Sequence, residues 1–157
     1  MFGHPRWARR LFSQADLDAI AAAVNAAEDR TAAEIRVHVE RRVPRRRGAP
    51  VTDPLSRARD VFAALKMHET ALRGGVLIYV AVEDRKLAIV GDEGIHARVD
   101  AGYWEAIRDR MVAQLREGAA RDAVMQAVDD VGAVLAREFP RRPDDVDELP
   151  DDVSLGR

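Results

Sequence analysis

The apolar run from Val76 to Val82 constrains the fold more than any other feature of this 157-residue chain. It follows two glycines, Gly74 and Gly75, and it is rich in β-branched residues. Such a run is typical of a central strand that is buried on both faces, because a half-exposed strand alternates apolar with polar residues. The run is far shorter than the roughly 20 residues that a membrane-spanning helix needs. We therefore expect a sheet with helices on both faces of this strand.

Two shorter patterns predict the neighbours of the central strand. Ile35, Val37 and Val39 alternate with polar residues, which indicates a strand with one apolar and one polar face. Leu87 to Val90 form a third strand, which should pair with the central strand as an antiparallel hairpin. A helix that begins after Asp53 separates the first two strands, so we expect these to be parallel through a right-handed crossover.

Helical periodicity predicts the remaining layers. A first helix begins after Ser13, which can cap it, and two longer helices close the domain before Pro140. The predicted order is α-β-α-β-β-α-α, a three-layer α/β sandwich in which helices cover both faces of a mixed sheet. We assign residues 1–12 to a basic arm, residues 13–139 to the domain, and residues 140–157 to an acidic tail that we expect to be disordered.

The composition excludes several classes of function. The chain has no cysteine, which rules out disulfides, zinc–thiolate sites and cysteine nucleophiles. Its formal net charge of −2 does not indicate a nucleic-acid partner, and the basic loop from Arg41 to Arg47 has no interleaved aromatic residues. We find no secretory signal and expect a soluble, cytoplasmic protein. The basic arm leaves peripheral contact with a membrane open as an alternative.

Polar residues from three separate stretches should meet at one edge of the sheet. In the predicted topology the two parallel strands begin at this edge and the third strand ends there. Glu34 opens the first strand, Thr70 and Arg73 precede the second, and Asp92 and Glu93 follow the third. Residues that a rigid sheet holds together in this way are good candidates for binding.

The carboxylates at this edge predict a divalent-cation site. Asp92, Glu93 and Glu34 would supply the oxygen ligands that Ca²⁺ and Mg²⁺ prefer. Arg73 and Thr70 could hold a phosphate or a carboxylate, since arginine makes forked, charge-assisted hydrogen bonds. Two simpler interpretations stay open. Asp92 could cap the helix that follows it, and Arg73 could pair with a nearby surface acid.

Nucleophilic chemistry finds little support in the sequence. The three serines, Ser13, Ser56 and Ser154, lie at a helix start, in a helix and in the tail, outside any nucleophile elbow. His38, on the polar face of the first strand, can titrate near neutrality, but we expect it to be an exposed surface histidine. We therefore assign no catalytic residue.

Three blocks of the sequence resemble the TPM domain family. They are TAAEIRV at residues 31–37, TALRGGVLIYVA at residues 70–81 and DRKLAIVGDEG at residues 84–94, and the closing helices follow in the expected order. The family includes thylakoid photosystem II repair proteins and related bacterial proteins, and it is similar in fold to the sandwich described above. The resemblance implies divalent-metal binding, as in some bacterial members, and acid phosphatase activity, as in plant members.

Two hypotheses follow for the function. The first is a binding or scaffold domain of unknown physiological role that serves a protein partner and holds a cation at Asp92, Glu93 and Glu34. The alternative is a metal-assisted acid phosphatase. In that enzyme the ion would polarise a phosphoryl oxygen and activate water, and Arg73 would orient the phosphate. A weak phosphatase activity is implied by the family resemblance alone.

Overall fold

The structure, a computed structural model, describes residues 12–45, 53–67, 74–117, 120–141 and 153–156. Its helices and strands, numbered along the chain, are α1 Gln14–Glu28, β1 Glu34–Glu40, α2 Pro54–Ala64, β2 Gly75–Ala81, β3 Lys86–Gly91, α3 Glu93–His96, α4 Ala101–Arg116, α5 Ala120–Glu138 and β4 Ser154–Leu155. The predicted elements are all present, together with the short helix α3 that we expected after Asp92, and the short strand β4 adds to them. None of the helices in these ranges is long and apolar enough to cross a membrane.

The apolar run forms an inner strand of the sheet, as predicted. Every residue of β2 is buried, and the strand order is β3-β2-β1-β4. β1 pairs with β2 in parallel and β3 pairs with β2 in antiparallel orientation, so the sheet is mixed. The predicted parallel pair and the predicted hairpin are both confirmed.

Helices pack on both faces of the sheet and complete three layers. On one face, Ile35, Ile78 and Ile89 share a core with side chains of α1, α4 and α5. On the other face, Leu77 and Tyr79 pack with side chains of α2. The sheet is therefore covered from both sides, which confirms the three-layer α/β sandwich.

Side-chain caps determine where two of the helices begin. The Ser13 hydroxyl accepts a hydrogen bond from the Asp16 N–H at 3.0 Å, and the Ser13 N–H donates to the Asp16 carboxylate at 3.0 Å. Asp53 accepts a hydrogen bond from the Ser56 N–H at 2.9 Å, directly before Pro54. These bonds satisfy amides that the first turn of a helix leaves unpaired. Both predicted helix starts are confirmed.

A short strand lies within the tail for which we predicted disorder. β4 pairs in parallel with the outer edge of β1, with Ser154 opposite His38. Val153 and Leu155 pack against the core and are partly buried, which holds the strand in place despite the acidic composition around it. The prediction of disorder is wrong for this strand. Residues 142–152 lie outside the described residues.

The residue directly before the predicted domain boundary packs with the domain. Phe12, which we assigned to the basic arm, is buried and belongs to the same core as Leu17 of α1. An aromatic side chain directly before the cap of α1 can pack against the first turn of that helix, as in a hydrophobic staple. The rest of the predicted arm, residues 1–11, lies outside the described residues.

Replacing Ile78 with alanine should lower the free energy of unfolding by about 2–5 kcal/mol, because it leaves a cavity between β2 and the helices. Ile78 is fully buried. Leu55→Ala is the matched control, since Leu55 is 40% exposed, and it should change stability by less than about 0.5 kcal/mol. Denaturant titration measures both values. Similar losses in the two variants would contradict the assignment of β2 as the buried strand.

Candidate functional site

Glu34 and Asp92 flank Gly75 in one row across the sheet. Glu34 is the register partner of Gly75 in the β1–β2 pair, and the Asp92 N–H donates a hydrogen bond to the Gly75 carbonyl at 2.9 Å. Neighbouring strands lie about 4.8 Å apart, so the Cα atoms of the two acidic residues are separated by about 10 Å. The start of β1 and the end of β3 therefore meet at one edge of the sheet, as the predicted topology required.

Gly75 lies between the two acidic residues, and Met67 packs over it. Residues of one row share a face of the sheet, so Glu34, Gly75 and Asp92 lie on the face that packs with α2. A methyl group on Gly75 would stand 3.1 Å from the Met67 carbonyl oxygen. The glycine thus allows the close approach of Met67, whose carbonyl oxygen and side chain lie within 3.6 Å of that position.

The two oxygens of the Asp92 carboxylate are in different states. Oδ1 accepts a hydrogen bond from the Glu93 N–H at 2.8 Å and caps α3, which confirms the capping interpretation for this atom. Oδ2 is buried and has no hydrogen-bond partner within the described part of the chain. A buried carboxylate oxygen in this state destabilises the fold unless a cation or a proton satisfies it.

The structure describes only two of the other four predicted site residues. Glu34 is buried, whereas Glu93 is exposed at the first position of α3. Thr70 and Arg73 lie outside the described residues, so their contact with a phosphate or carboxylate stays a prediction. Across the described ranges, no three or more histidine, cysteine or acidic side chains are grouped so that they could hold a metal ion.

A second polar group, which the sequence did not predict, lies at the other end of β1. We call it the Glu40 cluster, and it consists of His38, Glu40, Arg57 and Tyr79. The Arg57 guanidinium donates to both oxygens of the Glu40 carboxylate. The Tyr79 hydroxyl donates to Oε2 at 2.6 Å, and His38 Nε2 lies 3.2 Å from Oε1. The Glu40 carboxylate is therefore fully engaged.

The expectation that His38 is an exposed surface histidine is wrong. Its exposed fraction is 7%, because the polar face of β1 turns towards the side of α2 and β4 covers the outer edge of the strand. One signal in the sequence pointed to this cluster. Tyr79 lies in a run that is buried on both faces, and a buried tyrosine hydroxyl needs an acceptor from a neighbouring strand.

The contacts of the cluster keep Glu40 ionised. Burial alone would raise the pKa of Glu40. Hydrogen bonds from His38, Arg57 and Tyr79, together with the positive charge of Arg57, outweigh burial and lower the pKa from 4.5 to about 2. Burial and the Glu40 carboxylate raise the pKa of Tyr79, so its hydroxyl remains a donor. Each group satisfies another, as a stable buried polar network requires.

Comparison with known proteins identifies the family. The family model described as the TPM domain matches residues 8–134. The NMR structure of the BA42 protein from the psychrophilic bacterium Bizionia argentinensis is similar to this chain, with a TM-score of 0.80 and 39% sequence identity. The similarity covers 92% of this chain and 95% of that protein. The chain belongs to the TPM domain family.

Two more distant structures share the fold. The N-terminal domain of a P. gingivalis protein is 19% identical with a TM-score of 0.65, over 84% of this chain and 82% of that domain. The N-terminal domain of a Corynebacterium glutamicum protein is 17% identical with a TM-score of 0.56, over 86% of each chain. At these sequence identities, the similarity shows a shared fold and does not indicate a shared function. No match is found among curated proteins.

Replacing Glu40 with glutamine should lower the stability at neutral pH, because charge-assisted hydrogen bonds from Arg57 are lost. A lowered pKa in the folded state contributes stability that is fully present above pH 4.5 and is lost as the pH falls towards 2. The difference in unfolding free energy between wild type and E40Q should therefore shrink over this window. Denaturant titration at a series of pH values measures it, with Glu105→Gln on the exposed face of α4 as the control for net charge. A difference that stays constant across the window would contradict the cluster.

Proposed function

We propose that this TPM domain is a binding domain that holds a divalent cation, Ca²⁺ or Mg²⁺, and serves a protein partner. Asp92 and Glu34 would hold the ion, with Glu93 beside them. The observation that carries this proposal is the buried Asp92 Oδ2, which has no hydrogen-bond partner among the described residues and lies in the same row of the sheet as the buried Glu34.

The donor set suits a hard cation. Carboxylate oxygens bind Ca²⁺ at about 2.3–2.6 Å, and Glu34 and Asp92 would each direct one towards a shared ion at this edge of the sheet. The ion would neutralise negative charge at Glu34 and Asp92, two buried acidic residues in one row of the sheet. This charge balance favours a cation at this edge.

The number of protein ligands supports a binding role. Ca²⁺ takes six to eight oxygen ligands, and Asp92, Glu34 and Glu93 would supply only part of this number. Water and backbone carbonyls can complete the shell, as can an acidic side chain of a partner. A partially filled shell at the edge of the sheet therefore gives a protein partner a direct way to engage the domain.

Calorimetric titration of the full chain with Ca²⁺ and Mg²⁺ tests the proposal. Asp92→Asn keeps an oxygen that can cap α3 but removes the charge, and it should weaken ion binding at least about tenfold. Glu34→Gln should act in the same direction, whereas Glu105→Gln should have no effect. The absence of heat at millimolar ion, or equal affinity in wild type and D92N, would contradict the proposal.

A metal-assisted phosphatase is the second candidate function. Glu93 is exposed beside the buried pair, so one side of the ion would be open to a substrate, as metal-assisted catalysis requires. Arg73 would orient the phosphate in this enzyme. Release of phosphate from an aryl phosphate, measured with and without metal, separates the two functions. Turnover that needs the metal and falls in D92N would support the enzyme, and equal turnover in wild type and D92N would remove it.

A further inference from the structure

Backbone pairing and two contacts that depend on residue identity hold β4 on β1. β4 pairs with the outer edge of β1 through a parallel register, and the Gly156 N–H donates to the Val39 carbonyl at 2.7 Å. Backbone pairing of this kind binds any extended chain. The choice between one peptide and another must therefore come from contacts made by Ser154 and by Gly156.

The first selective contact is a hydrogen bond between the Ser154 hydroxyl and the His38 ring. Ser154 Oγ lies 2.9 Å from His38 Nδ1, and His38 Nε2 lies 3.2 Å from Glu40 Oε1. An ionised carboxylate only accepts hydrogen bonds, so Nε2 carries a proton that it donates to Glu40. In the neutral imidazole, Nδ1 is then an acceptor, and it requires a donor from the strand at this position. A hydroxyl meets this requirement, and an alanine side chain does not.

The second selective contact excludes any side chain at the position of Gly156. A methyl group on Gly156 would overlap the Glu40 side chain. Glu40 cannot move away easily, because Arg57 donates to both of its carboxylate oxygens and Tyr79 donates to Oε2. The same cluster that positions His38 thus makes glycine the residue that fits here.

The positions on either side of Ser154 prefer apolar residues. Val153 and Leu155 are partly buried and pack against the main core of the domain. Together with the two selective contacts, they define a pattern of four residues: apolar, hydroxyl, apolar, glycine. Residues 153–156 of this chain, VSLG, carry this pattern.

We propose that the outer edge of β1 is a binding site for an extended peptide with this pattern, and that a second copy of the chain can supply the strand. Residues 153–156 are only partly buried, and β4 has two residues, so its release requires little local unfolding. Eleven residues separate Arg141 from Val153, a connection that spans at most about 40 Å. That reach allows exchange between neighbouring copies, the usual low-cost route to a swapped dimer.

A labelled peptide with the sequence of residues 150–157 tests the site on the full chain by fluorescence anisotropy. In the Gly156→Val chain the chain's own strand no longer fits, so the edge of β1 is vacated and should bind the peptide. The wild-type chain, whose site is filled, should bind it at least about tenfold more weakly. A control peptide with valine in place of the glycine should not bind, and one with alanine in place of the serine should bind about fivefold more weakly than the native peptide.

A milder variant and a mass measurement complete the test. Ser154→Ala in the full chain keeps the glycine, and its affinity for the peptide should lie between those of wild type and G156V. Light scattering should show that the wild-type chain forms a dimer and that the fraction of dimer increases with protein concentration. The G156V variant should form less of this dimer. If neither G156V nor S154A binds the native peptide more tightly than the wild-type chain does, the proposed site is wrong. Equal binding of the native peptide and the valine peptide would also overturn it. Peptide binding without any wild-type dimer would overturn the second copy as its source.

Discussion

The burial of β2 on both faces is the constraint on which the rest of the structure depends. A strand without a polar face is stable only if other strands satisfy its backbone and helices cover both of its sides. β1 and β3 supply the pairing, and the helices supply the cover. Because β1 is parallel to β2 and β3 is antiparallel, Glu34 and Asp92 are brought to either side of Gly75. The candidate site is thus a consequence of how the buried strand is paired.

The two ends of β1 show how hydrogen-bond satisfaction distinguishes a structural group from a candidate binding site. At one end, both Glu40 oxygens are engaged by Arg57, and Tyr79 and His38 add further bonds. A carboxylate in this state has no remaining demand for a ligand, so it acts as a support for its neighbours. At the other end, one Asp92 oxygen caps a helix, and the second is buried with no hydrogen bond within the described residues. Native proteins rarely leave such an atom without an explanation, and the proposed cation would supply one.

Local patterns in the sequence predict most of the helices and strands of the fold. The continuous run at β2, the alternation at β1 and the cap at Ser13 each report a structure that forms over a few neighbouring residues. The meeting of Glu34 with Asp92 follows from these patterns once the strands are paired, because the register puts both at one edge.

The features that the sequence did not reveal depend on contacts between distant residues. Alternation shows that β1 has a polar face, but it cannot distinguish a face turned to water from one that is buried against Arg57 and Tyr79. β4 has too few residues for a strand pattern. It is held by pairing with the edge of β1 and by packing of Leu155 against the core. The state of Asp92 Oδ2 is likewise a matter of atomic position, which residue type alone does not determine.

Paramagnetic broadening by Mn²⁺ in a ¹H–¹⁵N spectrum of the full chain tests the central claim most directly. Mn²⁺ shares the preference of Ca²⁺ and Mg²⁺ for oxygen ligands, and it broadens the signals of nearby amides. The cation site predicts that the amide signals of Glu34, Gly75 and Asp92 broaden first. Those of Glu40 and Gly156, about 20 Å away along β1, should persist at the same Mn²⁺ concentration. Broadening that is strongest elsewhere, or that is spread evenly over the acidic residues of the chain, would contradict a cation site at this edge of the sheet.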